Sequence, residues 1–285
     1  MTIAVRDALA EGAAQLRAAG IESARLDARV LLAAALQISP DMAFAGGELR
    51  PGEYEQFAAL IARRAAREPL AYVTGHREFW SLSFAVGAGV LVPRPETETL
   101  VEAALARFGA GKPLRVLDIG TGSGCLLISV LLARPEATGV GIDLSESALA
   151  WARKNAIAAG VFPRCRLELA DTKPAGGERF DVILANPPYL SASEFEASAP
   201  EIRLWEPPCA LVGGEDGFDA IRSLAPLLGR MLARGGKAFV EVGIGQAIAA
   251  AEILAGSGLD VCDVVSDLSG IPRCLVAGRA GNGGC

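Results

Sequence analysis

Apolar positions recur at intervals of three and four through residues 3–19, 26–36 and 54–67, the spacing that lines one face of a helix. Gly20, Pro40 and the run from Gly46-Gly47 to Pro51 break the pattern between them. Pro51 sits near the start of the third stretch, and Glu53 and Glu55 put negative charge in its first turn, as the helix dipole favours. The pattern predicts a small helical domain over residues 1–75. At residue 76 the period changes to two. Trp80, Leu82, Phe84 and Val86 alternate with smaller or polar residues, Gly87-Ala88-Gly89 supplies a turn, and residues 90–92 run back. Residues 76–93 are therefore expected to form a β-hairpin linker.

Helical and strand patterns alternate through the remainder, residues 94–285. Strands are predicted at 114–119, 139–143, 166–169, 180–185, 237–242, 260–265 and 273–277, with helices at 96–108, 125–133, 145–159, 217–232 and 246–255. This order means an α/β domain, a doubly wound and mostly parallel seven-stranded Rossmann-like sheet with helices on both faces. Only a short segment separates the last two strands, so they are expected as an antiparallel hairpin at the sheet's edge. The glycine-rich tail GRAGNGGC is expected to fray.

Of the 285 residues 51% are hydrophobic and 21% charged, which is ample for a core and ordinary for a globular chain. The longest nearly unbroken apolar run, residues 125–133, is too short to cross a bilayer, and the N-terminal stretch mixes charges among its apolar residues, unlike a secretory signal. A cytoplasmic protein without a membrane partner is expected. A net charge of −6 argues against a surface that gains affinity by neutralising phosphates, so nucleic acid is not expected as a direct substrate. The cluster Arg63, Arg64 and Arg67 reads as a solvated face, with Glu53, Glu55 and Glu68 nearby. The six cysteines contain no C-x-x-C pair and His76 is the only histidine, which argues against a metal site, a disulfide framework or a histidine triad.

Two motifs carry chemistry. VLDIGTGSG, residues 116–124, places a glycine-rich turn between the first strand of the sheet and a helix, where a backbone can approach a nucleotide closely. Asp143 ends the next strand, where an acid reaches ribose hydroxyls. The glycines run Gly120-x-Gly122-x-Gly124, short of the dinucleotide spacing, and Cys125 follows. Asp118 lies within the same turn, and its carboxylate would repel a pyrophosphate but attract an amine or a sulfonium. S-adenosylmethionine carries both cations and no phosphate.

FDVILANPPYLSA, residues 180–192, is the second motif. A buried strand ends on Asn186, Pro187, Pro188 and Tyr189 at the carboxyl edge of the sheet, where ligands gather in doubly wound folds. Two prolines remove two N–H donors, so the loop presents acceptors: the Asn186 side-chain oxygen and the carbonyls of Pro187 and its neighbours. Acceptors suit a planar –NH₂ group. Held there, an amide or exocyclic amine would aim its nitrogen at a methyl donor, with Tyr189 packing against it. The two motifs together point to methyl transfer onto a planar nitrogen.

With EPLAYVTGHREFWSLSFAVGAGVLVPRPETE, VLDIGTGSGC, IDLSESAL, FDVILANPPY, EPPCALVGGEDGF and VEVGIGQ in order, the chain resembles the release-factor glutamine methyltransferases, also called the PrmC or HemK family. The resemblance implies methyl transfer from S-adenosylmethionine, with S-adenosylhomocysteine as product, to the side-chain amide (N5) of the glutamine in the Gly-Gly-Gln motif of peptide chain release factors. It implies that Gly120, Thr121, Gly122, Ser123 and Gly124 line the donor, with Asp118 in their turn, and that Asp143 holds the ribose. Asn186, Pro187, Pro188 and Tyr189 would hold the substrate glutamine. Asp171 and Thr172 correspond to the adenine side of the site. Thr172 is smaller than the bulky residue often found there in the family, which leaves Leu144 to cover the ring. The helical domain would dock the protein substrate.

Arg94, Glu96 and Glu98 fit either a helix start behind Pro95 or a wall of the site. Residues 194–216 hold six acids and one arginine, which reads either as a solvated loop or as a rim that steers a basic partner. Asn-Pro-Pro-Tyr alone is shared with DNA and RNA exocyclic-amine methyltransferases. Those activities, and glutamine methylation of a ribosomal protein, stand as alternatives.

Overall fold

The computed structural model describes residues 2–44, 46–109 and 111–281. Two compact units divide the chain: residues 1–76 with Ala199–Trp205, and residues 77–198 with 206–285. The first unit holds β1 (Ile3–Ala4), α1 (Val5–Ala18), α2 (Ala24–Leu36), β2 (Glu48–Leu49), α3 (Pro51–Ala65) and α4 (Leu70–Thr74). Its core joins Leu16, Leu31, Leu32, Phe57 and Ile61 from the facing stripes of the three long helices. Ile3 and Ala4 begin no helix. They pair antiparallel with Leu49 and Glu48.

Within the arginine cluster, Arg64 does not lie on a solvated face. Phe57, Ile61 and Arg64 follow one another on a single helical stripe, and all three are buried. Arg64 lies against acids far away in sequence: its Nε donates to Asp27 at 2.8 Å and its Nη1 to Glu201 at 2.8 Å. Arg67 adds a second bond to Glu201, at 2.7 Å. A buried arginine so paired is tolerated only because its partners come with it.

A hairpin of β3 (His76–Phe79), whose first residue ends the first unit, and β4 (Leu82–Ala85) begins the second. Its turn falls at Trp80 and Ser81, both left-handed with φ of 52° and 57°, and not at Gly87–Gly89. Two consecutive positive φ values give the tight turn whose twist matches paired strands, and neither residue announces it. Then follow α5 (Glu98–Arg107), β5 (Arg115–Ile119), α6 (Cys125–Ala133), β6 (Thr138–Asp143), α7 (Glu146–Ala158), β7 (Cys165–Leu169) and β8 (Phe180–Ala185). The acidic stretch contains short helices α8 (Ala192–Glu196) and α9 (Pro200–Trp205), of which α9 belongs to the first unit. The rest is α10 (Asp219–Met231), β9 (Leu232–Glu241), α11 (Ala247–Gly256), β10 (Leu259–Ser266) and β11 (Pro272–Arg279).

Seven strands form one sheet in the order β10-β11-β9-β8-β5-β6-β7. From β9 to β7 the strands are parallel, and β11 and β10 close the edge antiparallel. Apolar cores cover both faces, one built on α5 and α6, the other on α10 and α11. The strand order reverses at β5, so a crevice opens past the carboxyl ends of β5 and β8. No described helix is long and apolar enough to cross a membrane, and no described cluster could hold a metal ion. Cys125, Cys165, Cys209 and Cys274 are free thiols. The last four residues of the tail expected to fray lie outside the described residues.

Candidate active site

Ile119 ends β5 beside Ala185, the last residue of β8, so the turn after one strand and the loop after the other leave the sheet side by side. The glycine turn is held from beneath. Gly120 and Thr121 both donate to the Ile142 carbonyl at 2.9 Å, and the Thr121 hydroxyl donates to Asp118 Oδ2 at 2.7 Å. Asp118 Oδ2 also accepts from the Leu127 amide at 3.3 Å, while Oδ1 has no partner among the described residues. Asp118 is completely buried, and burial pushes its carboxyl up to about 7 despite the hydroxyl and amide that favour its charge. An ionised Asp118 therefore suits a turn that receives a cation.

Asp143 ties the turn to the next strand. Its Oδ2 accepts from Gly122 at 2.9 Å and its Oδ1 from Ser145 at 2.9 Å. Ser145 in turn caps α7 by accepting from the Ala148 amide. At Gly120, with φ of +71°, a Cβ would meet nothing closer than the Asn186 carbonyl oxygen at 4.0 Å, so the turn is open toward the second loop. Gly124 differs: a Cβ there would lie 2.9 Å from Ile128 Cδ1 and 3.3 Å from Ala152 Cβ, so this glycine serves helix packing. Leu144, an apolar side chain 67% exposed, follows directly after Asp143. Asp171 is exposed and Thr172 half-buried just beyond β7, and Ser123 is buried within the turn. An open glycine cradle, an unpartnered buried acceptor and an exposed apolar cover fit an adenosyl sulfonium donor.

In the second loop Pro187 is buried and Asn186, Pro188 and Tyr189 are half-buried. Asn186 Nδ2 donates to the Thr97 hydroxyl at 3.3 Å. The Tyr189 carbonyl accepts from Gln246 Nε2 at 2.8 Å, and Leu190 exchanges bonds with Leu211 and Gly213, at 2.9 and 2.8 Å. With Tyr189's carbonyl engaged, the acceptors left for a ligand are Asn186 Oδ1 and the carbonyls of Asn186, Pro187 and Pro188. A hollow of about 20 Å³ adjoins Asn186 and Tyr189, lined also by Leu91, Arg94, Ala210 and Leu211. That is room for a group about the size of one water or one –NH₂. A larger hollow of 620 Å³, between α11 and β10, is apolar and lacks convergent polar groups, so the chemistry is not there. Burial and the nearby carboxylates of Glu241 and Glu96 raise the Tyr189 hydroxyl's pKa, which keeps it protonated.

Four of the six acids in the acidic stretch are engaged within the protein. Glu206 is buried and accepts from Arg94 Nη2 at 2.6 Å and the Val92 amide at 3.0 Å. Glu194 caps its own helix, Glu201 holds Arg64 and Arg67, and Asp216 pairs with Arg222. Arg94 thus anchors the stretch that follows Tyr189, and Glu98 accepts from the Trp80 amide at 2.8 Å to hold the hairpin turn.

Three residues with no role read from sequence belong to this region. Asn155, buried on α7, bonds the Ser123 carbonyl at 2.8 Å and both backbone groups of Ala85, so it ties β4 to the donor turn. Thr97 and Glu241 lie beside Asn186 and Tyr189. The signal for Glu241 was a lone acid within the apolar strand run KAFVEV.

Residues 7–75 match the PrmC N-terminal domain and residues 97–202 the methyltransferase small domain. The release factor glutamine methyltransferase of Cereibacter sphaeroides is 46% identical over 96% of this chain and 97% of its own length. That of Rhodospirillum rubrum is 43% identical over 96% of this chain and 85% of its own. A solved methyltransferase from Pyrococcus furiosus, 19% identical, superposes with a TM-score of 0.52 over 77% of this chain and 96% of its own, and shares the fold. Identity at this level over nearly the whole length leaves one conclusion: the chain belongs to the release factor glutamine methyltransferase family.

Proposed function

We propose that the chain transfers a methyl group from S-adenosylmethionine to the side-chain amide nitrogen (N5) of a glutamine in peptide chain release factors, that of their Gly-Gly-Gln motif, leaving S-adenosylhomocysteine. The observation that carries this reading is the juncture at the sheet edge, where an open glycine turn and an acceptor-lined loop leave β5 and β8 at paired residues. When bound, S-adenosylmethionine supplies an electrophilic methyl group on a sulfonium. Gly120 to Ser123 would line it with Gly124 packed behind them, Asp143 would accept from its ribose hydroxyls, and Asp118 would offer negative charge to its ammonium. Leu144 would cover the adenine, with Asp171 and Thr172 at the rim.

The loop acts on the acceptor. Resonance ties up an amide nitrogen's lone pair, so positioning must do most of what catalysis there is. Asn186 Oδ1 and the Pro187 carbonyl would each take one N–H of the glutamine amide, fixing its plane and aiming its nitrogen. Pro188 and Tyr189 would wall the slot and exclude water. As the N–C bond forms and the S–C bond breaks, one amide proton leaves to solvent. Asn186 has no basic site to receive it. The helical domain is proposed to dock the release factor, and the cytoplasm, where translation terminates, is the expected compartment.

The test is transfer of labelled methyl from S-adenosylmethionine to a purified release factor, to the same factor with its Gly-Gly-Gln glutamine replaced, to a ribosomal protein mixture and to a DNA duplex. Label on the unmodified factor alone supports the reading. Label on ribosomal protein or DNA with none on the factor overturns it.

A further inference from the structure

Glu241 is the last residue of β9, and it has 0% exposure. Neither carboxylate oxygen accepts a hydrogen bond among the described residues, which is a severe condition for a group so deep. The parallel register explains where it lies. Ala185 stands opposite Val240, so Asn186 and Glu241 are the next residues along two neighbouring strands. Thr97, 2% exposed in the turn before α5, lies with them and accepts the Asn186 Nδ2 bond at 3.3 Å. The hydroxyls of Thr97 and Tyr189 are near enough to Glu241 to favour its charged form, although neither meets full hydrogen-bond geometry.

The chemistry of these groups fixes a direction. An ionised carboxylate only accepts, so a hydroxyl between it and an amide must point its proton at the carboxylate. The lone pair of that hydroxyl then faces the amide and takes an N–H. The two ends of an Asn side chain have nearly the same shape, and their hydrogen-bond partners alone decide which way it lies. If the direction of the chain were reversed, the slot would be lined by a donor, and a glutamine –NH₂ would be repelled from it.

We propose that Glu241, acting through the Thr97 hydroxyl, is a positioning residue that sets the Asn186 amide with its oxygen toward the substrate nitrogen. The Tyr189 hydroxyl also lies near Glu241, so the same carboxylate stands beside both ends of the Asn-Pro-Pro-Tyr loop. This inference rests on the reading of Asn186 as the holder of the substrate amide.

Glu241→Gln substitutes a donor for one acceptor oxygen at equal size. Methyl transfer to the release factor, at saturating donor, is expected to fall about ten- to hundredfold in kcat. Donor affinity by calorimetry should stay within about twofold, because no donor contact is removed. Thr97→Val should lose the same amount, the double variant no more than either single one, and Thr97→Ser should recover most of the rate. A pH profile supplies a readout that a merely structural role leaves alone. Facing Glu241 are Glu96 from the turn before α5, Tyr189, Arg273 and Cys274 on β11, and Cys125 on α6. Burial, with Glu96 adding to it and Arg273 opposing, pushes Glu241 up to about 7. The wild-type kcat at saturating donor should therefore fall as pH drops through that region, and the fall should become shallower in Glu241→Gln, leaving only the part due to Asp118, whose carboxyl is also pushed up to about 7. A Glu241→Gln enzyme with wild-type kcat and an unchanged profile, beside an inactive Asn186→Ala, overturns the positioning role alone. An Asn186→Ala enzyme of full activity overturns the underlying reading of the loop, and this inference with it. Should Glu241→Gln fail to fold, Thr97→Val decides: full activity there overturns the relay.

Discussion

Replacing Asp143 with alanine separates two roles of one carboxylate. In the protein its oxygens accept from the Gly122 and Ser145 amides, each at 2.9 Å. Bonds to a charged acceptor contribute about 1.5–3 kcal/mol each where nothing replaces them. Asp143 is only half-buried, so water reaches the freed amides and the net loss is nearer 1 kcal/mol apiece, about 2 kcal/mol together. In a unit of this size that lowers Tm by about 4–8 °C. The donor loses its ribose acceptor as well, about 1–3 kcal/mol, which raises Kd by about five- to 150-fold. Asp143→Asn keeps one acceptor but turns an –NH₂ toward one of the two amide donors, so it should fall between alanine and wild type. Calorimetric titration with S-adenosylmethionine and S-adenosylhomocysteine measures the binding part, and thermal melts of the free protein measure the turn. A lowered Tm with donor affinity within about twofold of wild type would leave Asp143 a structural brace and refute the ribose role. An unchanged Tm would refute the claim that these two bonds hold the turn.

Two further outcomes follow from neighbouring residues. Gly120→Ala places a Cβ in the opening toward Asn186 at a φ of +71°, and should weaken donor binding by tenfold or more, on the order of 1.4 kcal/mol, while Gly124→Ala, which crowds Ile128 and Ala152, should instead lower stability by about 1–3 kcal/mol. Equal donor affinity in Gly120→Ala would show that the cradle lies elsewhere. The second concerns pH. A carboxyl whose pKa rises on folding, as Glu241's does from 4.5 to about 7, costs stability above that value, and the cost fades as pH falls through it. Glu241→Gln should therefore be more stable than wild type at pH 8, by on the order of 3 kcal/mol at most, with the two curves converging below about pH 4.5. A gap that stays constant with pH would mean that folding does not raise the Glu241 pKa.

Much of the sheet was legible because its buried strands and first helix are continuous apolar runs between sharp punctuation. Phe180–Ala185 and Cys125–Ala133 fall where the apolar runs place them. The hairpin turn was misplaced because Trp80 and Ser81 adopt left-handed backbone without being glycine, while the conspicuous Gly87 serves another need. A Cβ there would lie 2.6 Å from the Trp151 ring. Pairings across long separations were invisible. Glu206 meets Arg94 and Val92, and Arg64 meets Asp27 and Glu201, so a stretch that reads as an acidic rim is mostly satisfied within the protein. The two chemical motifs stood out by their own spacing. Thr97 and Glu241 did not, because only the parallel register of β8 and β9 and the turn before α5 bring them to Asn186.

The most direct measurement is tandem mass spectrometry of a release factor after incubation with the enzyme and S-adenosylmethionine, read beside the same reaction with Asn186→Ala. One added methyl on the side-chain nitrogen of the Gly-Gly-Gln glutamine, absent with the variant although the variant still binds the donor, is the expected result. A methyl on any other residue, or an equal yield from Asn186→Ala, would contradict the assignment of the Asn-Pro-Pro-Tyr loop as the cradle of a glutamine amide.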